Sequence, residues 1–227
     1  MAAGEGRRLR PLTDRWPKPV LPIAGRPVVA TLLLELAAAG FDRVTIVTGH
    51  LAEQVEALLG DGSGFGLPLR YARQPEPLGS GDAIRAAVAR GAQPPLLVTG
   101  ADTVFAPGAL RAALERWEPD GAAGAIGVRR AEPDERPDRP RIKVEEGRVT
   151  RVVLTGESPF VSQPVWILDD ELTESLAELP GPPYEAAVAF QRAIDAGKTI
   201  LALDLGRSRD LTRPEDVITA NFPYLSS

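Results

Sequence analysis

Gly4, Gly6, Arg7, Arg8 and Lys18 fall in one short stretch, Gly4-Glu5-Gly6-Arg7-Arg8-Leu9-Arg10-Pro11-Leu12-Thr13, which continues to Trp16-Pro17-Lys18-Pro19. Six of the first 26 residues are Arg or Lys, and only Glu5 and Asp14 oppose them. Closely spaced glycines let backbone N–H groups approach phosphate oxygens. Arginine adds a planar fork of donors, and lysine a mobile point charge. Together these groups suit a triphosphate. A Gly-x-Gly pair alone marks a turn more often than a ligand site. No Gly-Lys-Ser/Thr follows it, so the stretch is not a Walker loop.

A second constellation starts at Gly60-Asp61-Gly62-Ser63-Gly64, passes Leu69-Arg70-Tyr71, and ends in Gln74-Pro75-Glu76-Pro77-Leu78-Gly79-Ser80-Gly81-Asp82-Ala83. On composition it is a glycine-rich connection, a strand and a helix start, with Ser80 as N-cap. Asp82 is expected to face solvent. A third feature is Asp102, just beyond the carboxyl end of the apolar run Leu96–Thr99. Ligands of open α/β sheets bind at that edge, although an Asp there serves equally well to cap a turn. His50, the single histidine, ends another apolar run and is read as structural or solvated.

The elements that must position these residues alternate. Val28–Ala39 is dense in Leu, Ala and Val and closes on Gly40, as a helix stopping at a glycine does. Val44–Thr48 reads as a buried strand, Ala52–Leu59 as a helix, Leu69–Ala72 as a strand, Gly81–Arg90 as a helix, Leu96–Thr99 as a strand and Gly108–Trp117 as a helix. Repeated β-α-β units predict a parallel sheet with helices on both faces. Beyond Trp117, Ala122–Val128 is a strand, Ala131–Pro140 a solvated loop, and Ile142–Val144 with Val149–Leu154 a hairpin around Glu145-Glu146-Gly147. Helices are predicted over Asp170–Leu179, Tyr184–Ala196 and Pro214–Asn221, with a strand at Thr199–Leu203. No stretch has linker composition.

Composition narrows the function classes. The chain has 227 residues and a net charge of −5, the wrong sign for a nonspecific nucleic-acid binder. Without cysteine it has no disulfide, thiolate metal site or cysteine nucleophile, which suits the cytosol. One histidine excludes a His-rich metal centre. The longest mostly apolar run, Val28–Phe41, contains Glu35 and is shorter than the roughly 20 residues a membrane span needs. The first residues show no signal-peptide apolar region.

Ala2 to Pro27 resembles, almost throughout, the signature of the sugar-phosphate nucleotidyltransferases, or nucleotide-sugar pyrophosphorylases. The match includes Pro11-Leu12-Thr13 and Pro17-Lys18-Pro19-Val20-Leu21-Pro22-Ile23, a portion that the molybdopterin nucleotidyltransferases of the same fold lack. Gly60 to Ser80 is similar to the second motif of that family. The resemblance implies an α/β fold: a Rossmann-like, mixed, mainly parallel sheet flanked by helices, of the nucleotide-diphospho-sugar transferase type. It implies one domain over 1–227, with a nucleotide-binding half to about 120 and an acceptor-binding half after it. The implied reaction joins an NTP and a sugar-1-phosphate to give an NDP-sugar and pyrophosphate, with Mg²⁺ as cofactor and in the cytoplasm. Nucleotidyl transfer to a non-sugar phosphorylated acceptor and a noncatalytic nucleotide-sugar-sensing subunit are the rival readings.

Residue by residue, the resemblance assigns Arg8 and Lys18 to the phosphates as catalytic cations. Ala3, Gly4 and Gly6 line the nucleotide. Gln74, Pro77, Gly79 and Ser80 belong to nucleotide recognition, with Gln74 and the backbone near Gly79 reading the base. A glutamine amide has the donor and acceptor for that task. Asp102 is the first Mg²⁺ ligand. Asp210, in Asp210-Leu211-Thr212-Arg213-Pro214-Glu215-Asp216-Val217, is the second, with Asp204 as the fallback. One or two carboxylates plus substrate phosphates is ordinary Mg²⁺ coordination. Glu157 and Glu185 are the candidate acceptor contacts. Four features depart from the family pattern. Arg7 stands where Thr or Ser is usual. The Lys of a Glu-Lys-Pro motif is missing near Glu157, and Pro164 replaces a glycine before an aromatic residue. The family also places a short apolar strand ahead of Ala2; without that strand the sheet would expose unpaired edges, so an upstream start or a truncated sequence is expected.

Overall fold

The computed structural model describes residues 1–117, 121–132, 135, 140–153 and 158–222. Glu157, most of the loop at 131–140 and the end of the strand predicted to Leu154 lie outside the described residues.

A small antiparallel ribbon, β1 (Pro22–Ile23) and β2 (Arg26–Pro27), leads into α1 (Val28–Ala38). Its Val28, Val29, Leu32, Leu33 and Leu36 are buried, and Gly40 ends it with φ +93°. The alternation then runs β3 (Val44–Thr48), α2 (Ala52–Leu59), β4 (Leu69–Arg73), α3 (Ser80–Ala89) and β5 (Leu96–Thr99). These match the predicted elements to within a residue or two. A short strand β6 (Thr103–Phe105) and α4 (Ala109–Leu114) follow. The later part contains β7 (Gly124–Arg130), the hairpin β8 (Arg141–Glu145) and β9 (Arg148–Val153), and the long strand β10 (Phe160–Leu168). It closes with α5 (Asp170–Ser175), α6 (Ala186–Asp195), β11 (Ile200–Asp204), β12 (Ser208–Asp210) and α7 (Pro214–Asn221).

The largest sheet has six strands in the order β5-β10-β7-β11-β9-β8. It is mixed: β11 runs parallel to β7, whereas β10 runs antiparallel to β5 and β7. β3 and β4 form a separate parallel pair, and β12 pairs antiparallel with β6. Successive residues point to opposite faces of a strand. Accordingly Ala125, Val165, Ile167 and Leu203 join one buried cluster with α1, α2 and α4. Ile126, Val128 and Leu168 join another, with α3, α5 and α6. The result is a sheet covered by helices on both faces.

Five of the described strands are not foreseen by the sequence reading: the two-residue β1 and β2, and β6, β10 and β12. β10 alternates polar and apolar residues but contains Pro164, which argues against a central strand. The structure resolves the conflict with a register irregularity between Ser162 and Trp166, where Pro164 sits. Its carbonyl accepts the N–H of Gly100 at 3.0 Å. β6 and β12 are each three residues long and carry no pattern of their own.

Residues Met1 to Ala3 take up the position between β3 and β5. Ala2 makes a parallel bridge to Thr48, the Met1 carbonyl accepts from Ala101 N–H, and the Met1 ammonium donates to the Thr99 carbonyl. Among the described residues β3 pairs otherwise only with β4, and β5 only with β10. Between their free edges lies a cavity of about 390 Å³ lined largely by apolar side chains such as Leu33, Ile46, Ile84 and Leu97.

Candidate active site

Gly6 adopts a left-handed conformation, φ +62°, and a Cβ there would stand 2.9 Å from Cγ2 of Thr13. Only glycine tolerates both conditions without strain. Thr13 in turn donates from Oγ1 to the Gly6 carbonyl at 2.9 Å. His50 Nε2 lies 2.8 Å from the Thr13 carbonyl, and its own backbone N–H donates to Ala3. His50 thus braces the N-terminal loop, the structural role expected of it. The loop is anchored below by Leu9, Leu21, Ile23 and Val28, which bury against Leu211 from the far end of the chain.

The cations of this loop are not equivalent. Arg7 bonds to the Glu5 carboxylate at 2.8 Å, and Arg10 reaches Glu5 and Asp14. The Arg7 hydrogen bond holds the Glu5 carboxyl below its ordinary range. Arg7, exposed and committed to Glu5, is thereby turned to the surface. Arg8 is also exposed on the same 3-10 turn and does not line the central cleft. Lys18 is different. It opens a short 3-10 turn after Pro17, is mostly buried, and pairs with Asp102.

A cleft of about 380 Å³ opens above these groups. It is lined by Ala3, Gly4 and Gly6, by Gln74, Pro77, Gly79 and Ser80, and by Gly100 and Asp102 with Lys18 paired to the latter. Three segments distant in sequence therefore converge as the motifs imply. Gly79 (φ +107°) permits the close approach, because a Cβ there would meet the Tyr184 backbone at 2.6 Å.

Two readings of this region are corrected. Ser80 is not the N-cap of its own helix; Gly79 holds that position without a side-chain bond. The Ser80 hydroxyl instead donates to Glu185 at 2.6 Å and accepts from Ala186 N–H at 2.9 Å, so it caps α6. The exchange is completed by Gly81 N–H to the Tyr184 carbonyl and Tyr184 N–H to the Leu78 carbonyl, each 2.7 Å. Glu185 is thus tied to the rim of the cleft. Asp82 does not simply face solvent either: it accepts from the Gln74 amide at 2.8 Å.

The two candidate metal ligands are brought together by the strand pair that sequence reading missed. In the β6–β12 register Asp210 stands opposite Thr103, the residue after Asp102. Asp204 is exposed and uses its carboxylate to accept from Gly206 N–H in a turn. Geometry therefore favours Asp210 over the fallback. Among the described residues no group of three or more His, Cys, Asp or Glu side chains gathers as a metal centre. Of the two, Asp102 lines the cleft; a hard carboxylate there suits Mg²⁺, which fills its remaining positions with phosphate and water.

Comparison with known proteins fits this geometry. A sequence model of the family described as nucleotidyl transferase matches residues 1–222. Over 104 residues the chain is 43% identical to the N-acetylmuramate alpha-1-phosphate uridylyltransferase of Neisseria meningitidis serogroup B, covering 44% of each protein. Over 84 residues it is 45% identical to the mannose-1-phosphate guanylyltransferase of Mycobacterium tuberculosis, covering 37% of this chain and 23% of that one. These matches span less than half the length of either relative. A solved UDP-glucose pyrophosphorylase in complex with UDP-glucose superposes with a TM-score of 0.82 at 24% identity, over 99% of this chain and 96% of that one. The inositol-1-phosphate CTP transferase from T. maritima gives 0.80 at 19% identity, over 95% and 88%. At such identities the superpositions establish the shared fold. No described helix is long and apolar enough to cross a membrane.

Proposed function

We propose, since this chain belongs to the nucleotidyl transferase family, that it transfers a nucleotidyl group from an NTP to a sugar-1-phosphate, releasing pyrophosphate. The observation that carries the reading is the convergence of Lys18, Asp102 and Gln74 on one cleft beside the Gly4–Gly6 loop. The uridylyl-, guanylyl- and thymidylyltransferase names of the relatives support the class of reaction.

An oxygen of the acceptor phosphate attacks the α-phosphorus, and the bond to the β-phosphate breaks as pyrophosphate departs with its electron pair. No covalent enzyme intermediate is required. The protein's contribution is position and charge. Gly4 and Gly6 let the backbone approach the phosphates, while Lys18 holds positive charge at the floor of the cleft. Arg8, on the exposed turn that follows Gly6, is the second phosphate contact that the family resemblance implies. Gln74, with the Pro77–Ser80 loop, orients the base. Asp102 and Asp210 are the residues that hold Mg²⁺, which when bound supplies charge neutralisation at the phosphates. Glu185, held by Ser80 at the rim, contacts the acceptor. The same reading sets the enzyme in the cytoplasm.

The test is a screen for Mg²⁺-dependent pyrophosphate release that crosses four NTPs with sugar-1-phosphates and other phosphorylated acceptors. A productive sugar-1-phosphate pair supports the proposal. Activity only with a non-sugar acceptor shifts the acceptor class, and silence with every pair refutes transfer.

A further inference from the structure

Gln74 is only 6% exposed, and its backbone is fixed by an N–H to the Thr48 carbonyl at 2.8 Å. Its side-chain Nε2 donates twice: to the Gly79 carbonyl at 3.0 Å and to Asp82 Oδ2 at 2.8 Å. Both partners are acceptors only. Turning the amide over would set Oε1 against two oxygens, so its orientation is determined by chemistry. The two amide hydrogens are spent inside the protein. Oε1 accepts from nothing among the described residues. Nor is it sealed off, because Gln163 Oε1 is the one buried side-chain polar atom among the described residues that has no partner. Gln74 lines the cleft, and the group it offers there is an acceptor.

We infer that Asp82 is a positioning residue that locks Gln74 as an acceptor, so that the site selects a nucleobase whose ring nitrogen carries hydrogen: uracil, thymine or guanine. The inference rests on the nucleotide site proposed above. Those bases place an N–H on the pairing edge beside a carbonyl. Cytosine and adenine place a lone pair at the same ring position, and an acceptor facing it leaves two lone pairs opposed. Their exocyclic amino groups reach Oε1 only by shifting the base. A buried polar group left unpaired in this way is costly. Asp82 itself stays out of contact with the base and acts through Gln74.

Calorimetric binding of each NTP, with Mg²⁺ and no acceptor, tests the idea independently of turnover. The wild-type chain is expected to bind UTP, dTTP or GTP at least tenfold more tightly than CTP or ATP. Asp82→Ala should narrow that ratio severalfold, and Asp82→Asn, which keeps an acceptor oxygen, should restore it. In turnover the Asp82→Ala loss should fall on the KM for the NTP. Tightest binding of ATP or CTP, or an unchanged ratio in a folded Asp82→Ala protein, overturns the inference. Base-selective binding without pyrophosphate release would refute transfer while supporting this assignment. Absence of NTP binding would overturn both.

Discussion

Lys18 and Asp102, separated by 84 positions, form an ion pair at the floor of the cleft. The pair joins the glycine loop to the carboxyl end of β5. Lysine is 16% and aspartate 33% exposed, so both remain open to a ligand. In the absence of nucleotide each neutralises the other. Binding of phosphates and a cation gives Lys18 and Asp102 stronger partners of opposite sign.

Lys18→Ala should lower turnover by about 10²–10³-fold, the range for removing one preorganised charge stabiliser. Melting temperature should change little, because the lost ion pair is partly solvated. Steady-state pyrophosphate release and a thermal melt check both halves. Turnover close to wild type would remove Lys18 from the phosphate site.

Asp210 and Asp204 can be separated by substitution. Asp210→Asn should raise the Mg²⁺ concentration needed for half-maximal activity at least tenfold, as Asp102→Asn should. Asp204→Asn should leave the Mg²⁺ titration where it was, because that carboxylate caps a turn. A Mg²⁺ requirement altered by Asp204→Asn and not by Asp210→Asn would reverse the assignment.

Gly79→Ala should destabilise the protein by about 3 kcal/mol, since φ +107° with ψ 172° is a glycine-only conformation and the new Cβ meets the Tyr184 backbone. The damage also separates the Pro77–Ser80 loop from Glu185, so NTP affinity should fall with stability. Denaturant midpoints and NTP titration provide the measurement. A stable variant with normal affinity would show that the close approach of the two loops is dispensable.

Stability should depend on pH through the Met1 ammonium. Burial lowers its pKa from 8.0 to about 6, against a smaller opposing effect of Asp102. The unfolded chain therefore binds a proton between about pH 8 and 6 that the folded chain rejects. Unfolding free energy should be highest above pH 8 and fall by about 2–3 kcal/mol as the pH drops through 6, with no further loss from this group below about pH 5. Placing residues ahead of Met1 replaces the ammonium with an amide and should flatten this dependence. Chemical denaturation across the range, with both forms, distinguishes the outcomes.

Much of the site was legible because its chemistry is concentrated in residue types that local structure demands. Gly6 and Gly79 mark positive φ, Lys18 follows a proline turn, and Gln74 and Asp102 follow strand ends. α1, α2 and β3 to β5 were readable because an apolar pattern over four or more residues is enforced by burial on one or both faces. β6, β10 and β12 were not. Pro164 disguises β10, and three-residue strands such as β6 and β12 exist only because each has the other to pair with.

The sequence by itself determined the glycine-rich loop and the β-α-β alternation, since these depend on the backbone freedom of glycine and on periodicity; Asp102 and Asp210 were named through the family resemblance. Tertiary structure decided which cations face the cleft, that Asp210 pairs opposite Thr103 whereas Asp204 caps a turn, and that Ser80 and Asp82 serve α6 and Gln74. Those outcomes are pairings between residues far apart in the chain. A carboxylate or hydroxyl has several possible partners in sequence, and only the packed arrangement of strands fixes the one within hydrogen-bonding distance.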